Sequence, residues 1–503
     1  MKKTASVANA DSGRKGKMNE ITLPILAEES CEVLVAGGGT AGCCAALAAA
    51  RLGKKVVLMD ECGVLGGQAT LGMVAPISSI CDRNGESFGG ILDEILEDMR
   101  AECAKMGDAQ GYTSAPSLLG LILTEKLDQA GVTVHFFTKL VAAEREDRRM
   151  TAVIAAAKSG LRRYHAQAFI DATGDADLTY FAGEETVLGS EPGVFDALAQ
   201  AGLGQVHFEH TQYRFPAPGA LQPVSVMFTV GGVEEKDCDL YTEYCNRRFT
   251  YQELGTSEKE YGGFPFAGRV GFEKNGDYLP LPQGRFLFFK GARKGEYTVN
   301  MSRVTGINGA DADSLDRGEK DAQLQVLPIL ELLRRFIPGF EHAYLIQASG
   351  RLGVRESRRL LGRRVFHGQE AFDCVPMPDV VAHGSYIIDI HDPNGKAMAI
   401  GGSIRGSAYD IPYGALLPQN TDNLWVCGRC ISSDHVAHAT TRIIGTCMLT
   451  GQAAGTAAAL CLTEKQANGE INVAALQRQL KKDGVKLQMP EEKRQLRNEQ
   501  NEV

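Results

Sequence analysis

The chain has 503 residues, enough for two or three domains with substantial cores, and its 44% hydrophobic and 23% charged content is that of a soluble globular protein. A net charge of −9 with no dense Lys/Arg block argues against a nucleic-acid partner, and no apolar run approaches the roughly 18 residues that a membrane span needs. Thirteen cysteines, an odd number scattered through expected strands and helices, read as free thiols in a reducing cytoplasm.

Residues 1–28 begin basic but lack the apolar core of a secretory signal, so they read as a disordered leader, with Met18 as an alternative start. From Cys31 the pattern sharpens. Val33, Leu34 and Val35 form an apolar strand run that meets Gly37, Gly39 and Gly42 in G-x-G-x-x-G spacing. An Ala-rich helical run follows, then a second strand, Val56 to Met59, ending at Asp60. In a dinucleotide-binding βαβ unit the first glycine permits a tight turn, and the second lets the backbone approach a pyrophosphate. The third lets the helix lie close on the strand. The pyrophosphate would sit on the helix N-terminus, where free N–H groups and the positive dipole end favour an anion. Asp60 is placed to accept from a ribose 2′-OH, and its charge disfavours a 2′-phosphate, so FAD or NAD fits better than NADP.

Ile91 to Met106 and Leu118 to Gln129 carry helical periodicity, the second closed by Gly131. Two strand-rich stretches then lead to the loop Thr173-Gly174-Asp175. From about Gly183 to Pro418, aromatic-rich β segments alternate with Gly/Pro loops, and one helix over residues 318–337 interrupts them. This predicts a mixed, largely antiparallel second domain. At Asn423 the β-turn-α style returns with NLWVCGR, a polar loop and a small-residue helix over 445–462. The expected fold class is α/β: a split Rossmann-type dinucleotide-binding domain (29–182 and 419–465) with an inserted β-rich, α+β substrate domain (183–418). Residues 466–503 are expected to hold a short amphipathic helix and a charged tail.

Six segments taken together identify a family. They are VLVAGGGTAGCCAALAAARLG, VVLMDECGVLGGQAT, FIDATGDADLTYFAGEE, VNMSRVTGINGADADSLDRGEKDA, LGVRESRRLLG and the long run from DIPYGALLPQ to GQAAGTAAAL. In these the chain resembles the FAD-dependent oxidoreductases of the glutathione-reductase-2 type over nearly its whole length after residue 30. The resemblance implies FAD as cofactor, with Gly37, Gly39 and Gly42 cradling its pyrophosphate and Asp60 holding the adenosine ribose. It implies that Gly66, Gly67 and Thr70 pass the ribityl and isoalloxazine region, and that a backbone group near Leu140 meets the adenine. Gly174 and Asp175 match the family's A-T-G-D loop, and Gly428 and Arg429 its late G-R motif. Gly445 and Thr446 would open a helix aimed at the flavin, whose positive end favours negative charge on the reduced ring. Two positions depart from the pattern: Asp60 stands where relatives often have Glu, and Cys427 where they often have Ala, which creates Cys427-Gly428-Arg429-Cys430.

Hydride transfer needs a proton donor or acceptor beside the flavin and a group that orients the substrate. His435 and His438 lie between the G-R motif and the flavin-facing helix, and a three-residue spacing puts both on one side if that loop is helical. Their plain structural role would be to hydrogen-bond the flavin or cap a turn. Arg351, Arg355, Arg358, Arg359, Arg363 and Arg364 form the densest basic cluster. One or two could clamp a carboxylate, while most would form a solvated face with a salt bridge to Glu356. Arg442 is a rival anchor, or a proton donor in a reductase. Cys427 and Cys430 invite a dithiol reading, against which stands ordinary packing at the end of a buried strand. No metal site is expected, because the HVAH run lacks the intervening Glu and a third ligand. His383, Tyr386, Asp389 and His391 gather in the second domain as pocket-lining or purely structural groups, with Asp389 and His391 on one strand face.

The expected activity is hydride transfer between flavin N5 and a small polar organic substrate, with oxidation of a hydroxylated compound leading. The alternatives are reduction of an activated C=C bond and a flavin subunit of an electron-transfer complex. The expected partners are a small-molecule substrate and an unknown electron acceptor, with a homo-oligomer open and no nucleic acid or membrane.

Overall fold

The computed structural model describes residues 23–74, 77–105, 115–192, 218–235, 287–391 and 398–487, together with Thr4–Ala5, Glu260–Tyr261, Phe264–Pro265, Gly271–Lys274, Asp277–Pro280 and Pro393. Met18, most of the expected leader and the charged tail after 487 lie outside the described residues.

The chain opens with β1 (Leu23–Ser30) and β2 (Val33–Ala36), then α1 (Thr40–Arg51) and β3 (Val56–Met59). Helices α2 (Gly90–Lys105) and α3 (Pro116–Gln129) lead to β4 (Thr133–His135). A meander of β5 (Lys139–Glu146), β6 (Arg149–Ala157) and β7 (Gly160–His165) returns to β8 (Ala168–Asp171). Further on come β9 (Phe228–Gly231), β10 (Phe288–Lys290), β11 (Tyr297–Val299), α4 (Ala312–Gln323), α5 (Val326–Phe336) and β12 (Tyr344–Ala348). Two ribbons follow, built from β13 (Val380–Gly384), β14 (Ile388–His391), β15 (Met398–Gly402) and β16 (Tyr409–Pro412). The last elements are β17 (Leu424–Val426), α6 (His435–Thr441), α7 (Ile444–Glu464) and α8 (Val473–Lys482).

A five-stranded parallel sheet in the order β17-β8-β2-β3-β4 sits at the centre of the first core. Its strands are continuous apolar runs because both faces are covered. Val33, Val35, Val56, Leu58 and Ile170 point into the cluster formed with α1, α2, α3 and α7. The alternate residues Leu34, Ala36, Val57, Met59 and Phe169 point into a second cluster with Val153, Ala155 and Tyr164 of the β5–β7 sheet. Each fully buried Val, Leu or Phe in these layers contributes about 1.5–3 kcal/mol relative to exposure.

Helix α7 is held against α1 by two glycines. A Cβ on Gly451 would stand 2.1 Å from the Ala41 carbonyl oxygen, and one on Gly455 would stand 2.0 Å from that of Ala45. The small-residue run is therefore what lets the two helix backbones touch. Among the described residues, no single helix is long and apolar enough to cross a membrane.

Two expectations are corrected here. Residues 23–28 belong to β1, which pairs in parallel with β7 from Ile25↔Leu161 to Ser30↔His165, so the leader reading runs too far. The helix expected over 318–337 is two. It breaks at Leu324-Gln325, where the Gln325 side chain bonds both backbone groups of Arg303, and Pro328 falls in the first turn of α5, where no intrahelical donor is needed.

The second core is an antiparallel sheet in the order β10-β11-β9-β12, with Ile329, Leu330 and Leu333 of α5 closing over Phe228, Val230 and Tyr297. Beyond it, β13 pairs with β16 and β14 with β15.

Candidate active site

The glycine turn between β2 and α1 is built as the motif requires. Gly37 sits at φ +101°, where a Cβ would meet the Ala172 carbonyl oxygen at 2.4 Å, and a Cβ on Gly42 would meet the Gly37 oxygen at 1.9 Å. Gly39 is different: a Cβ there would meet nothing within 4 Å, so the second glycine faces open space at the uncapped N-terminus of α1. That is the position at which a pyrophosphate approaches the backbone. Gly39 also bridges to Gly66, and Gly66 and Gly67 both have positive φ, which turns residues 65–70 across the glycine loop. The Thr70 hydroxyl donates to the Leu65 carbonyl at 2.7 Å and so pins that turn from within.

Asp60 anchors the same loop. One carboxylate oxygen accepts from the Gly38 N–H at 2.6 Å and the other from the Cys62 N–H at 2.8 Å. Each oxygen keeps a second lone pair, and the side chain lines a pocket with Gly37, Thr138, Leu140, Thr173 and Arg351. Burial pushes the Asp60 pKa up against those two backbone bonds. The set of donors, acceptors and open backbone fits an adenosine diphosphate moiety.

A second loop crosses the end of the sheet. Asp171, fully buried, accepts from Thr173 N–H and Oγ1–H with one oxygen and from Thr179 N–H and Oγ1–H with the other. This fixes Gly174 at φ +80° and presents Asp175, whose carboxylate takes bonds from the Arg429 guanidinium at 2.8 Å and from the Ser357 hydroxyl. Arg429 also donates to the Val354 carbonyl at 2.7 Å. Gly428, at φ +77°, lies against Ala41, where a Cβ would come within 2.8 Å of the alanine methyl. The two family loops and the 354–359 segment thus form one junction. Sequence reasoning missed Asp171 and Ser357, whose signal was only a loop spacing.

Gly445 and Thr446 lie in the first turn of α7, as the small-residue pattern predicts, but that turn already has protein neighbours. The Gly445 N–H donates to the Ser78 carbonyl at 3.1 Å, and the Thr446 hydroxyl contacts Ser79 Oγ at 2.9 Å.

The loop carrying His435 and His438 is helical (α6), and both side chains are fully buried. His435 Nδ1 lies 2.8 Å from Glu356, which also pairs with the buried Arg359. Arg359 in turn bonds Glu191 and the carbonyls of Ser433 and Gly189. Burial opposes ionisation of Glu356, yet the charges of His435 and Arg359 hold it well below the usual carboxylate range. His438 Nε2 donates to the Arg355 carbonyl at 3.1 Å, and burial keeps the ring neutral. These bonds give His435 and His438 a structural part at the junction.

The arginine cluster makes the expected salt bridge to Glu356 through Arg359, but it is not a solvated face, because each of its arginines is engaged by the protein. Arg351 pairs with Glu61 at 2.8 Å and lines the nucleotide pocket, and Arg355 donates to the Pro223 carbonyl at 2.7 Å. Arg358 pairs with Asp177, Arg363 with Asn468 and Arg364 with Glu370. Cys427 and Cys430 are buried free thiols whose pKa values burial pushes well up, which suits packing rather than exchange. Among the described residues no group of three or more His, Cys, Asp or Glu is placed to hold a metal ion.

Arg442, at the C-terminal end of α6, meets β14. Its Nη2 donates to the Asp389 carbonyl at 3.1 Å and lies 3.3 Å from the Asp389 carboxylate. The same carboxylate stands 3.2 Å from His391 Nε2, and the His391 N–H donates to the Gln222 side-chain oxygen at 3.2 Å. Burial, joined by the charges of Arg355 and Arg442 and opposed by Asp389, pushes His391 down to about 3. His383 stands on the other ribbon, 3.0 Å from Asp410, and has no part in this group.

The model of the family described as FAD dependent oxidoreductase matches residues 32–480. No curated protein matches the sequence. Among solved structures, a geranylgeranyl bacteriochlorophyll reductase-like protein of Thermoplasma acidophilum is 12% identical with a TM-score of 0.41, over 91% of this chain and 85% of that one. A myxobacterial chondrochloren halogenase is 11% identical with a TM-score of 0.45, over 90% and 78%. The p-nitrophenol 4-monooxygenase of Pseudomonas putida is 12% identical with a TM-score of 0.37, over 90% and 81%.

Proposed function

The chain belongs to the family of FAD dependent oxidoreductases, and on that premise we propose that it oxidises a hydroxyl of a small polar organic molecule by hydride transfer. FAD, when bound, supplies the two-electron acceptor. Gly37, Gly39, Gly42 and Asp60 would hold its adenosine diphosphate half, and Gly174, Asp175, Gly428 and Arg429 would approach the rest. In this reading β17 completes a dinucleotide domain that residues 183–418 interrupt, and the substrate lies where α6 and α7 meet β14.

The observation that carries the proposal is the Asp389–His391 pair. Asp389 fixes the tautomer by accepting from His391 Nε2–H, which leaves the Nδ1 lone pair, and that atom is buried without a hydrogen-bond partner among the described residues. A carboxylate-oriented imidazole with an unengaged, unprotonated nitrogen is the arrangement that takes a proton from a hydroxyl as its C–H bond gives up hydride. His435 is also oriented by a carboxylate, Glu356, but that carboxylate is shared with Arg359 inside the junction, and His438 has only a carbonyl to orient it.

The test is anaerobic stopped-flow bleaching of the purified protein's flavin by hydroxy acids, polyols and sugars. Bleaching that falls about 10²–10⁴-fold in His391→Gln supports the reading. Bleaching unaffected by His391→Gln moves the base elsewhere. If nothing bleaches the flavin, but dithionite-reduced protein is reoxidised by enoates, the reaction runs as a reductase. Silence in both directions points to a partner-dependent subunit.

A further inference from the structure

The pocket beside the glycine loop is walled by carboxylates, Asp60, Glu61 and Asp177, and by two cations, Arg351 and Lys139. An adenosine diphosphate moiety would bring the negative charges of its pyrophosphate to this wall. The N-terminus of α1 sets about half an elementary charge against them. Lys139 is largely exposed, with its ammonium 3.2 Å from Glu61. Arg351 is the better anchored of the two cations. The backbone on either side of it is tied to the turn that crosses the glycine loop. The Gly350 N–H donates to the Leu71 carbonyl at 3.0 Å, and the Gln68 side-chain amide donates to the Leu352 carbonyl at 3.0 Å. Arg351 Nη2 pairs with Glu61 at 2.8 Å, and Nη1 meets the Cys62 sulfur at 3.5 Å. A guanidinium carries five N–H donors and a thiol is a weak acceptor, so this group has donors to spare at the pocket wall.

We propose that Arg351 is a cofactor-holding residue, its guanidinium facing the diphosphate of FAD while Glu61 anchors it. The planar fork suits a diphosphate, which offers it paired oxygens, and its charge offsets the repulsion that Asp60, Glu61 and Asp177 would exert on that anion. No motif includes it. The glycine turn and Asp60 lie in one βαβ unit, whereas Arg351 arrives from the segment between β12 and β13, 289 positions after Cys62. Retention of FAD is thereby coupled to that distant segment. Only the identity of the cofactor enters here, so the assignment holds whichever substrate is oxidised.

The experiment displaces FAD from the full-length holoprotein with ADP and, separately, with adenosine, and follows the released flavin by its fluorescence. Both competitors address the same half of the cofactor site, and only ADP carries the diphosphate. In wild-type protein ADP is expected to compete better than adenosine. Arg351→Ala should weaken FAD and ADP by about 10-fold or more, with adenosine changed by less than about 3-fold. The retained adenosine affinity shows that the pocket is still folded. Arg351→Lys, which keeps the charge and loses the fork, should recover part of the loss. The preference for ADP should also shrink with rising KCl in wild type more than in Arg351→Ala. Equal losses of ADP and adenosine in Arg351→Ala overturn the assignment and make Arg351 a structural latch on Glu61. An unchanged preference for ADP in that variant, or a wild type in which ADP competes no better than adenosine, overturns it as well by removing Arg351 from the diphosphate.

Discussion

Glu356 shows how one buried carboxylate can organise a junction. It is fully buried, and so are its charged partners Arg359 and His435, while its second oxygen accepts from the Gln222 N–H. Replacing it by Gln would leave Arg359 with Glu191 as its one charged partner among the described residues, and breaking a buried pair in this way costs about 3–5 kcal/mol. The pKa of Glu356 lies below its unfolded value, so its contribution is complete above the unfolded carboxylate range and fades only as pH falls through the depressed value. Glu356→Gln should therefore melt well below wild type at pH 7 and still do so at pH 5. Equal melting temperatures at both would show that the pair adds nothing. Asp60 makes a parallel case on the cofactor side. Asn at this position would turn a donor toward the Gly38 or Cys62 N–H, so Asp60→Asn should lose at least 10-fold in FAD affinity. The ratio of 450 to 280 nm absorbance after desalting measures it, and an unchanged ratio would remove Asp60 from the cofactor site.

At the level of elements, the α1–α7 contact is the one most exposed to a single substitution. Gly451→Val would drive a branched side chain into the Ala41 carbonyl, which lies in the first turn of the helix that borders the glycine loop. The strain expected from overpacking is about 1–3 kcal/mol, and it would tilt α1 at the pyrophosphate end. Lower melting temperature and weaker FAD retention should appear together in Gly451→Val, and loss of either one alone would separate the helix contact from the cofactor site. The glycine–strand–helix–strand order was legible in the sequence because every part of it is local: the turn, the helix start and Asp60 fall within one βαβ unit. The arginine cluster misled for the opposite reason. Charge density is visible in a sequence, but the partners that bury Arg359 come from Glu191 and Ser433, far along the chain. The Arg442–Asp389–His391–Gln222 chain was only partly legible. Asp389 and His391 share a strand face, whereas Gln222 reaches His391 across 169 positions and no periodicity announces it.

For the whole molecule, two buried neutral histidines set the response to acid. Burial pushes His391 down to about 3 and holds His438 well below its ordinary value of about 6.5. Between pH 6.5 and those depressed values the unfolded chain binds protons that the folded chain refuses, so stability is present above pH 6.5 and drains away as pH falls. The slope is up to about 1.4 kcal/mol per pH unit for each histidine. Two groups work the other way. His367, its pKa raised by Asp434, is largely exposed, so solvent screens its share. Asp177, which burial pushes up to about 6, takes up its proton first in the folded chain and offsets part of the histidine loss below that pH. Both buried rings stand where α6 and β14 meet, so the first opening under acid should part these elements and release the cofactor. Melting temperature should be highest above pH 7 and drop steadily from pH 6.5 to 5, with flavin fluorescence rising in the same transition. His391→Gln, which has no proton to gain, should flatten that drop by removing one of its two sources. A melting temperature that stays level from pH 7.5 to 5 would mean that these rings are charged or solvated in the folded protein.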